Sequence, residues 1–379
     1  MAMTLTEEQQ LLLDTATQFF QERAPVSELR KLRDSKDAVG FDRGLWKEMA
    51  DLGFAGIMIS EKYGGSDFGP VGLGLVLEQA GRTLAATPLV STVLVCGSAV
   101  QLAGNAAQRQ DILSAISSGN LIMALALEET PHHNPTRIAT TAMADGAGFK
   151  ISGNKTFVLD GHVADKLIVV ARTSGKETDR NGTTLFLVDP KASGVKITRT
   201  HMVDSRNAAN IEFKDVSVSA DDVLGSVDGA NDVLDQVLDI ARIGMAAEML
   251  GLVTQAFEMT VAYLKERKQF GVPIGSFQAL KHRAADMFSE IELSRSVVIG
   301  ALSALEERSN DVPLLASLAK GRLSDVARTV TNEGVQMYGG MGMTDPIDIG
   351  LYMKRARVAA ASFGDGNFHR DRFATLSGF

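Results

Sequence analysis

The sequence has little cysteine and no uninterrupted hydrophobic run of membrane-spanning length. Cys96 is the sole cysteine among 379 residues, which excludes an intramolecular disulfide and favours a reducing compartment. Residues 83–108 carry no charge, but Pro88, Gly97 and Gly104 interrupt them, so a buried helical segment is predicted there. The N-terminal stretch MAMTLTEEQQLLLD is acidic where a signal peptide is basic. We therefore expect a cytoplasmic protein without membrane insertion.

An excess of positive charge and the common nucleotide-binding motifs are also missing. The net charge is −8 and the pI about 5.4, which argues against a nucleic-acid partner. Neither GxGxxG nor a Walker loop occurs, so NAD and ATP chemistry has no support. The adjacent His132 and His133 have no carboxylate at ligand spacing, so a solvated or phosphate-facing loop is predicted there and no metal site.

The length of the chain and the changes in residue pattern along it predict three regions, with a mainly α fold and a central antiparallel β domain. Residues 1–120 read as helices, the first opened by a capping box of Thr6 and Gln9. Residues 121–230 contain β-rich runs such as KLIVVART and TTLFLVDP with no long helix between them, which predicts an antiparallel sheet or barrel. Residues 231–379 hold long helices, the longest predicted over 233–270, and indicate a bundle with subunit contacts.

Two stretches of the last region are distinctive together. They are 263-YLKERKQFGVPIGSFQALKHRAADM-287 and 336-QMYGGMGMT-344, and KYGGS stands in an early loop. In this order and spacing the chain resembles the acyl-CoA dehydrogenase superfamily from end to end. The resemblance implies a helical N-terminal domain, a β-barrel-like middle domain, a C-terminal four-helix bundle and an FAD cofactor.

The resemblance assigns two groups of residues to the dinucleotide end of FAD. The group at the pyrophosphate and adenosine comprises Arg267, Gln269, Phe270 and, nearby, Gln278. The group that contacts the same end from a neighbouring subunit comprises Gln336, Gly339 and Gly340. A guanidinium can hold a pyrophosphate with two hydrogen bonds, and glycines let the backbone approach closely.

The residues expected at the flavin ring depart from the family pattern. The strand that usually reads TEPxxGSD is here 127-LEETPHHN-134, which puts Leu127 and His133 at contact positions. The strand that usually reads W-I-T or W-I-S is Phe157-Val158-Leu159. Backbone amides can still bind the ring, but Leu159 offers no side-chain hydrogen bond to N5. FAD binding that is weaker or differently arranged is therefore predicted.

The chemistry that the resemblance implies needs a carboxylate base. The base removes the α-proton of an acyl-CoA while a hydride leaves the β-carbon for flavin N5, and hydrogen bonds to the thioester oxygen stabilise the enolate. The family's two glutamate positions map onto Gly364 and Ala241, so both glutamates are absent. Asp365 is the nearest carboxylate. It is either the base, redirected by its flanking glycines, or the N-cap of a helix starting near Asn367.

Acidic and basic residues on the longest helix are the other site candidates. By resemblance, Asp239 and Arg242 lie along the CoA or acyl channel, and Gly364 is a substrate contact. The alternative for Asp239 and Arg242 is a bundle salt bridge or a solvated face. Glu248, six residues past Arg242, is predicted to point to a different face.

Several functions stay open at this point. The first is an FAD-dependent acyl-CoA dehydrogenase, a homodimer or homotetramer that passes electrons to an electron-transfer flavoprotein. A variant is one subunit of a heterotetramer, like those acting on steroid side-chain CoA esters, which the terminal FGDxxxHR pattern resembles. The partner chain would then supply the base. The others are a flavin oxidase or monooxygenase similar to nitroalkane oxidase, and a non-catalytic binding protein.

Overall fold

The computed structural model describes residues 5–379, which form two compact units. Unit 1 contains residues 5–31, Pro70–Ala85 and Arg242–Phe379, and unit 2 contains Leu32–Gly69 and Ala86–Ala241. In the described part of the chain, no helix combines the length and the apolar character that crossing a membrane requires.

Helices dominate the chain on both sides of a β-rich middle. In chain order they are α1 (Glu7–Arg23), α2 (Val26–Asp34), α3 (Arg43–Asp51), α4 (Gly69–Thr83), α5 (Ser98–Ala103), α6 (Ala106–Gln108), α7 (Ser114–Ser117), α8 (Ala230–Glu266), α9 (Gln278–Glu306), α10 (Val312–Tyr338), α11 (Ile349–Ala361) and α12 (Gly366–Leu376). Leu89–Gly97 and Arg109–Leu113 are π-helical. The residues of Leu89–Gly97 are all buried, which confirms the buried helix predicted in the charge-free stretch.

The first helix follows directly from local sequence. The Thr6 hydroxyl accepts a hydrogen bond from the Gln9 N–H at 3.1 Å, and the Gln9 side chain accepts one from the Thr6 N–H at 3.0 Å. This reciprocal pair satisfies N–H groups that have no partner inside the helix, and it confirms the predicted capping box. Ala16, Phe19 and Phe20 recur at helical spacing and form the buried face.

Close backbone contact between α4 and α8 organises unit 1. A Cβ atom added at Gly251 would lie 1.8 Å from the Glu78 carbonyl oxygen, and one at Gly81 would lie 2.0 Å from the Glu248 carbonyl oxygen. Real Cβ atoms cannot approach backbone that closely, so both crossings require glycine. Within the same unit, α10 packs on α9, α11 and α12.

The core of unit 2 is one sheet. Its strands are β1 (Met123–Ala126), β2 (Thr141–Asp145), β3 (Gly148–Leu159), β4 (Lys166–Arg172), β5 (Thr183–Val188), β6 (Val195–His201), β7 (Asn207–Ser219) and β8 (Val223–Leu224), paired in the order β6-β7-β3-β2-β4-β5-β8 with β1 beside β4. In the register, Lys155 of β3 faces Ile211 of β7, and Val169 of β4 faces Phe186 of β5. The sheet is mainly antiparallel, as predicted, except that β1 and β2 each pair with β4 in parallel. Strands β2 and β8 were not predicted, because both are short and β2 carries alanines in place of β-branched residues.

The glycine crossing of unit 1 generates a stability prediction. Gly251→Ala should lower the free energy of unfolding by about 2 kcal/mol, because the added methyl group overpacks the α4 contact. Gly300→Ala in α9 is the matched control, since its Cβ would meet no atom within 4 Å; it should stabilise by up to about 1 kcal/mol through helix propensity. Thermal unfolding followed by circular dichroism measures both. Equal effects of the two substitutions on the unfolding temperature would contradict the close contact of α8 with α4 at Gly251.

Candidate functional site

The segment after α8 forms a hairpin. The longest helix was predicted to run to Phe270, but α8 ends at Glu266, so that prediction was wrong at its end. The physical reason is the turn: Phe270 and Gly271 both have positive φ, at 53° and 79°, as in the tight two-residue turns that join antiparallel strands. The turn joins β9 (Lys268–Gln269) to β10 (Val272–Pro273).

The hairpin presents planar hydrogen-bond donors to the surface. Arg267, Gln269 and Gln278 are exposed, and the Phe270 ring is 92% exposed and meets Phe277 edge to face at 6.1 Å. Helix α9 begins at Gln278, and no side chain of residues 5–379 caps it, so its first N–H groups remain available to an anion. Guanidinium, amide and helix N–H groups are a donor set that fits the predicted diphosphate.

The glycine turn after α10 lies at the same end of unit 1 as the hairpin. The rings of Tyr263 and Tyr338 stack with centroids 4.1 Å apart, and the Tyr263 hydroxyl donates to the Tyr338 carbonyl at 3.5 Å. Gly339, the next residue, has φ 62° and ψ −143°, a conformation that only glycine adopts readily. No atom lies within 4 Å of a Cβ placed at Gly339 or Gly340. The two predicted cofactor segments are thus linked by tyrosines that the sequence motifs did not single out.

In unit 2, a buried ion pair holds the segment that follows β1. Lys155 is fully buried, and its ammonium donates to the Leu127 carbonyl at 3.0 Å and to Glu129 Oε1 at 2.7 Å. Glu129 in turn accepts from the N–H groups of Ala139 and Thr140. Burial lowers the pKa of Lys155 to about 8, although Glu129 and Glu128 oppose this shift. Burial alone would raise the pKa of Glu129, but Lys155 and the N–H donors bring it below its ordinary value.

His133 does not lie in a solvated loop. Its ring is 4% exposed, and Nδ1 contacts the Glu128 carboxylate, so the prediction of a solvated loop was wrong for this residue, while His132 is exposed. The reason is local, because Glu128 stands five residues earlier in the same segment and reaches back to the ring. A role for His133 at the cofactor stays a prediction, and its ring already has a carboxylate partner.

Phe157 and Leu159 lie in an irregular part of β3. The pairing with β7 shifts between Lys155 and Val158, and Phe157 has a positive φ of 54°, as in a β-bulge. The Phe157 N–H donates to Asn210 Oδ1 at 3.4 Å. Phe157 and Leu159 are half-buried and offer apolar surface to a ring, as their sequence suggests.

Asp365 caps the last helix. Residues 362–365 form the loop that connects α11 to α12, called here the connecting loop. Asp365 is exposed, and its Oδ1 accepts the Phe368 N–H at 2.9 Å. Helix α12 therefore begins at Gly366, one residue before the predicted start. The capping role is observed, and the catalytic role stays a prediction.

Gly364, where the resemblance predicts a glutamate, has no open space beside it. Gly364 has φ 104°, and a Cβ there would lie 2.5 Å from Phe368 Cδ1 and 2.9 Å from His369 Nε2. The second predicted glutamate position, Ala241, is fully buried in α8. A side chain at position 364 would require movement of Phe368 or His369.

Buried donors hold the carbonyl groups of the connecting loop. Arg242 Nε donates to the Phe363 carbonyl at 3.2 Å, and its guanidinium lies 5.4 Å from the centre of the Phe368 ring. His369 Nε2 lies 3.2 Å from the same carbonyl oxygen. The Lys320 ammonium, which the sequence motifs did not single out, donates to the Gly364 carbonyl at 3.0 Å.

Asp239 and Arg242 are 3% and 2% exposed, so the solvated-face alternative was wrong for both. Glu248 binds Arg355 through Oε1, with 2.9 Å to the arginine Nε, in agreement with the prediction that it serves another face. Contact of Asp239, Arg242 and Gly364 with a substrate stays a prediction.

Comparisons with known proteins cover the whole chain. Residues 6–120, 124–216 and 228–376 match the models of the acyl-CoA dehydrogenase N-terminal, middle and C-terminal domains. The chain is 32% identical to the short-chain specific acyl-CoA dehydrogenase of Megasphaera elsdenii, over 94% of both chains. It is similar to the Tcur3481-Tcur3483 steroid ACAD, with 32% identity, a TM-score of 0.88 and coverage of 99% and 98%. It also resembles the ChsE4-ChsE5 complex of Mycobacterium tuberculosis, with 26% identity, a TM-score of 0.90 and full coverage of both chains.

The ion pair between Lys155 and Glu129 should contribute to the stability of unit 2. Lys155→Met should destabilise unit 2 by about 3 kcal/mol near pH 6, because it leaves the Glu129 carboxylate without its cation. Urea unfolding followed by the fluorescence of Trp46, the sole tryptophan and a buried residue of unit 2, measures the loss.

The pH dependence of this loss has a defined sign. The pKa of Glu129 is lowered in the folded protein, so the pair stabilises above the unfolded pKa of about 4.3 and less as pH falls through the folded value. The difference between wild type and Lys155→Met should therefore shrink below about pH 4. A difference that is independent of pH would contradict the pairing.

Proposed function

Because the chain belongs to the acyl-CoA dehydrogenase family, we propose that it catalyses the α,β-dehydrogenation of an acyl-CoA thioester. Members of this family are FAD-dependent oxidoreductases, and FAD is the cofactor of this chain. The observation that carries the proposal is the exposed donor set of the hairpin, next to the open glycine turn at the same end of unit 1.

The residues proposed to hold FAD fall into three groups. The pyrophosphate and adenosine would be bound by Arg267, Gln269, Phe270 and Gln278, and a neighbouring subunit would contribute Gln336, Gly339 and Gly340. The ring side would be apolar, with Leu127, Phe157 and Leu159 beside backbone amides and with His133 close by. When bound, FAD supplies the two-electron acceptor for the hydride that leaves the β-carbon, and an electron-transfer flavoprotein is the proposed partner that takes these electrons on.

The proposed base is Asp365. Its carboxylate takes the proton when the α C–H bond breaks, and the electrons of that bond form the new carbon–carbon double bond as the hydride leaves the β-carbon. Oδ1 is already used in the cap, which leaves Oδ2 as the oxygen for this proton. Arg242 and Asp239 would line the acyl channel.

A second candidate is favoured by the filled space at Gly364 and by the capping bond of Asp365. In it, this chain is one subunit of a heteromeric acyl-CoA dehydrogenase, and a homologous partner chain supplies the base. The Tcur3481-Tcur3483 and ChsE4-ChsE5 structures, both similar to this chain, are named as pairs of different chains.

The hairpin donor set can be tested by cofactor content. Arg267→Gln should weaken FAD binding about tenfold to a hundredfold, since it removes charge-assisted hydrogen bonds of roughly 1.5–3 kcal/mol. Arg328→Gln on the surface of α10, where the arginine is 59% exposed, is the matched control. The ratio of flavin to protein absorbance after dialysis measures the effect. Equal FAD retention by both variants would remove Arg267 from the site.

The base is tested by anaerobic titration of the FAD-loaded protein with a panel of acyl-CoA thioesters. We expect the flavin absorbance of the wild type to bleach and that of Asp365→Asn to persist with FAD still bound, because asparagine keeps the cap but cannot accept the proton. Asp365→Ala is the control that loses both functions. Bleaching of the Asn variant at the wild-type rate would show that Asp365 is a cap alone.

The two candidates are separated by adding a homologous partner chain. Bleaching by this chain alone supports the first candidate. A protein that becomes yellow and bleaches only after co-expression with the partner supports the second. Rapid reoxidation by oxygen with no response to any acyl-CoA would indicate an oxidase instead.

A further inference from the structure

A fully buried lysine lies in the middle of α10, away from the residues that the family motifs select. Lys320 is 0% exposed and stands between Ala319 and Gly321. A buried ammonium group is strongly unfavourable unless its charge and its N–H donors are satisfied. The contacts that satisfy Lys320 therefore indicate what the residue does.

The three contacts of the ammonium bridge the two sides of the connecting loop. Its Nζ donates to the Ala360 carbonyl at 2.9 Å, to the Gly364 carbonyl at 3.0 Å and, more weakly, towards Ser324 Oγ at 3.5 Å. Ala360 belongs to the last turn of α11, where carbonyl groups have no donor inside the helix and a cation is favoured. Gly364 immediately precedes Asp365. One buried charge thus ties the end of α11 to the residue before the proposed base.

The charged groups that act on Lys320 lie on α8, on α11 and at the start of α12. Arg242 of α8 and Arg355 of α11 repel the ammonium, while Asp365 at the start of α12 attracts it. Arg355 is itself paired with Glu248.

His369 of α12 also packs against α10, because a Cβ at Gly321 would lie 3.2 Å from the His369 Cβ. Burial first, and then the two arginines, lower the pKa of Lys320 to about 7.

The protonation state of Lys320 determines how many hydrogen bonds its side chain can donate. The ammonium form has three N–H groups for its three acceptors, whereas the neutral amine has two and a lone pair that cannot face a carbonyl oxygen. Phe363 has a positive φ of 59°, which a bulky residue adopts at a cost, so bonds to the connecting loop are needed to offset that cost.

We propose that Lys320 is a positioning residue for the dehydrogenation: its ammonium holds the Gly364 carbonyl against the end of α11 and thereby fixes the Asp365 carboxylate. This inference rests on the proposed function, in which Asp365 takes the α-proton. Lys320 touches no substrate and acts through the connecting loop.

The kinetic test uses Lys320→Met, with Ser324→Ala as the control that keeps both carbonyl bonds. Lys320→Met should lower kcat about a hundredfold, the scale of a misplacement of about 1 Å, with KM within threefold and FAD content unchanged. Ser324→Ala should keep kcat within twofold of the wild type. An unchanged kcat in Lys320→Met, or a loss matched by a loss of FAD, would overturn the inference.

The pH profile separates positioning from a merely structural role. The kcat of the wild type should fall as pH rises through about 7, since deprotonation removes one of the three N–H donors and the positive charge that strengthens the two carbonyl bonds. In Lys320→Met, kcat should not fall in this pH range. Lys320→Arg stays charged, so it should restore part of kcat and move the fall in kcat above about pH 9. If kcat of Lys320→Met still falls near pH 7, a group other than Lys320 causes the fall.

Hydrogen–deuterium exchange provides a readout that does not depend on turnover. In Lys320→Met, the amides of residues 362–368 should exchange at least tenfold faster, while those of α9 stay unchanged. No change in the connecting loop would refute the role of Lys320. Faster exchange together with a wild type that no acyl-CoA bleaches would refute the proposed dehydrogenation and leave Lys320 as the residue that holds the loop.

Discussion

The connecting loop between α11 and α12 keeps its conformation because buried donors converge on two adjacent carbonyl groups. Arg242 and His369 lie at the Phe363 carbonyl, and Lys320 donates to the Gly364 carbonyl. The donors stand on three helices of unit 1, so packing of those helices sets the course of the loop. The same arrangement fills the space beside Gly364 and turns Asp365 outward as a helix cap. Any base chemistry in this protein has to start from that geometry.

The proposed cofactor residues differ in character between the two units. In unit 1 the hairpin and the glycine turn offer charged and amide donors on exposed backbone, which suits a diphosphate. In unit 2 three of the four proposed residues, Leu127, Phe157 and Leu159, are apolar. The fourth, His133, contacts Glu128, and Lys155 pairs with Glu129 in the same segment. Affinity for FAD would therefore come mainly from the dinucleotide end, and the ring would depend on apolar contact and backbone hydrogen bonds.

Much of the fold could be predicted from the sequence because its signals are local. The capping box at Thr6, the buried charge-free stretch around Leu89–Gly97 and the β-rich runs of unit 2 each involve residues close in the chain. The site was less predictable because its contacts are long-range. A single lysine within α10 resembles a surface residue until the ends of α11 and α12 are brought against it. His133 was taken as solvated because sequence spacing does not reveal that Glu128 folds back on it.

In the proposed function, this chain brings its own base to the α-carbon of an acyl-CoA. The most direct measurement is the uptake of deuterium by saturated acyl-CoA thioesters incubated with the FAD-loaded protein in D2O, read by mass spectrometry. We expect deuterium at the α-carbon of at least one thioester when this chain is the only polypeptide present. Thioesters that bind but gain no α-deuterium would contradict it and place the base on another polypeptide.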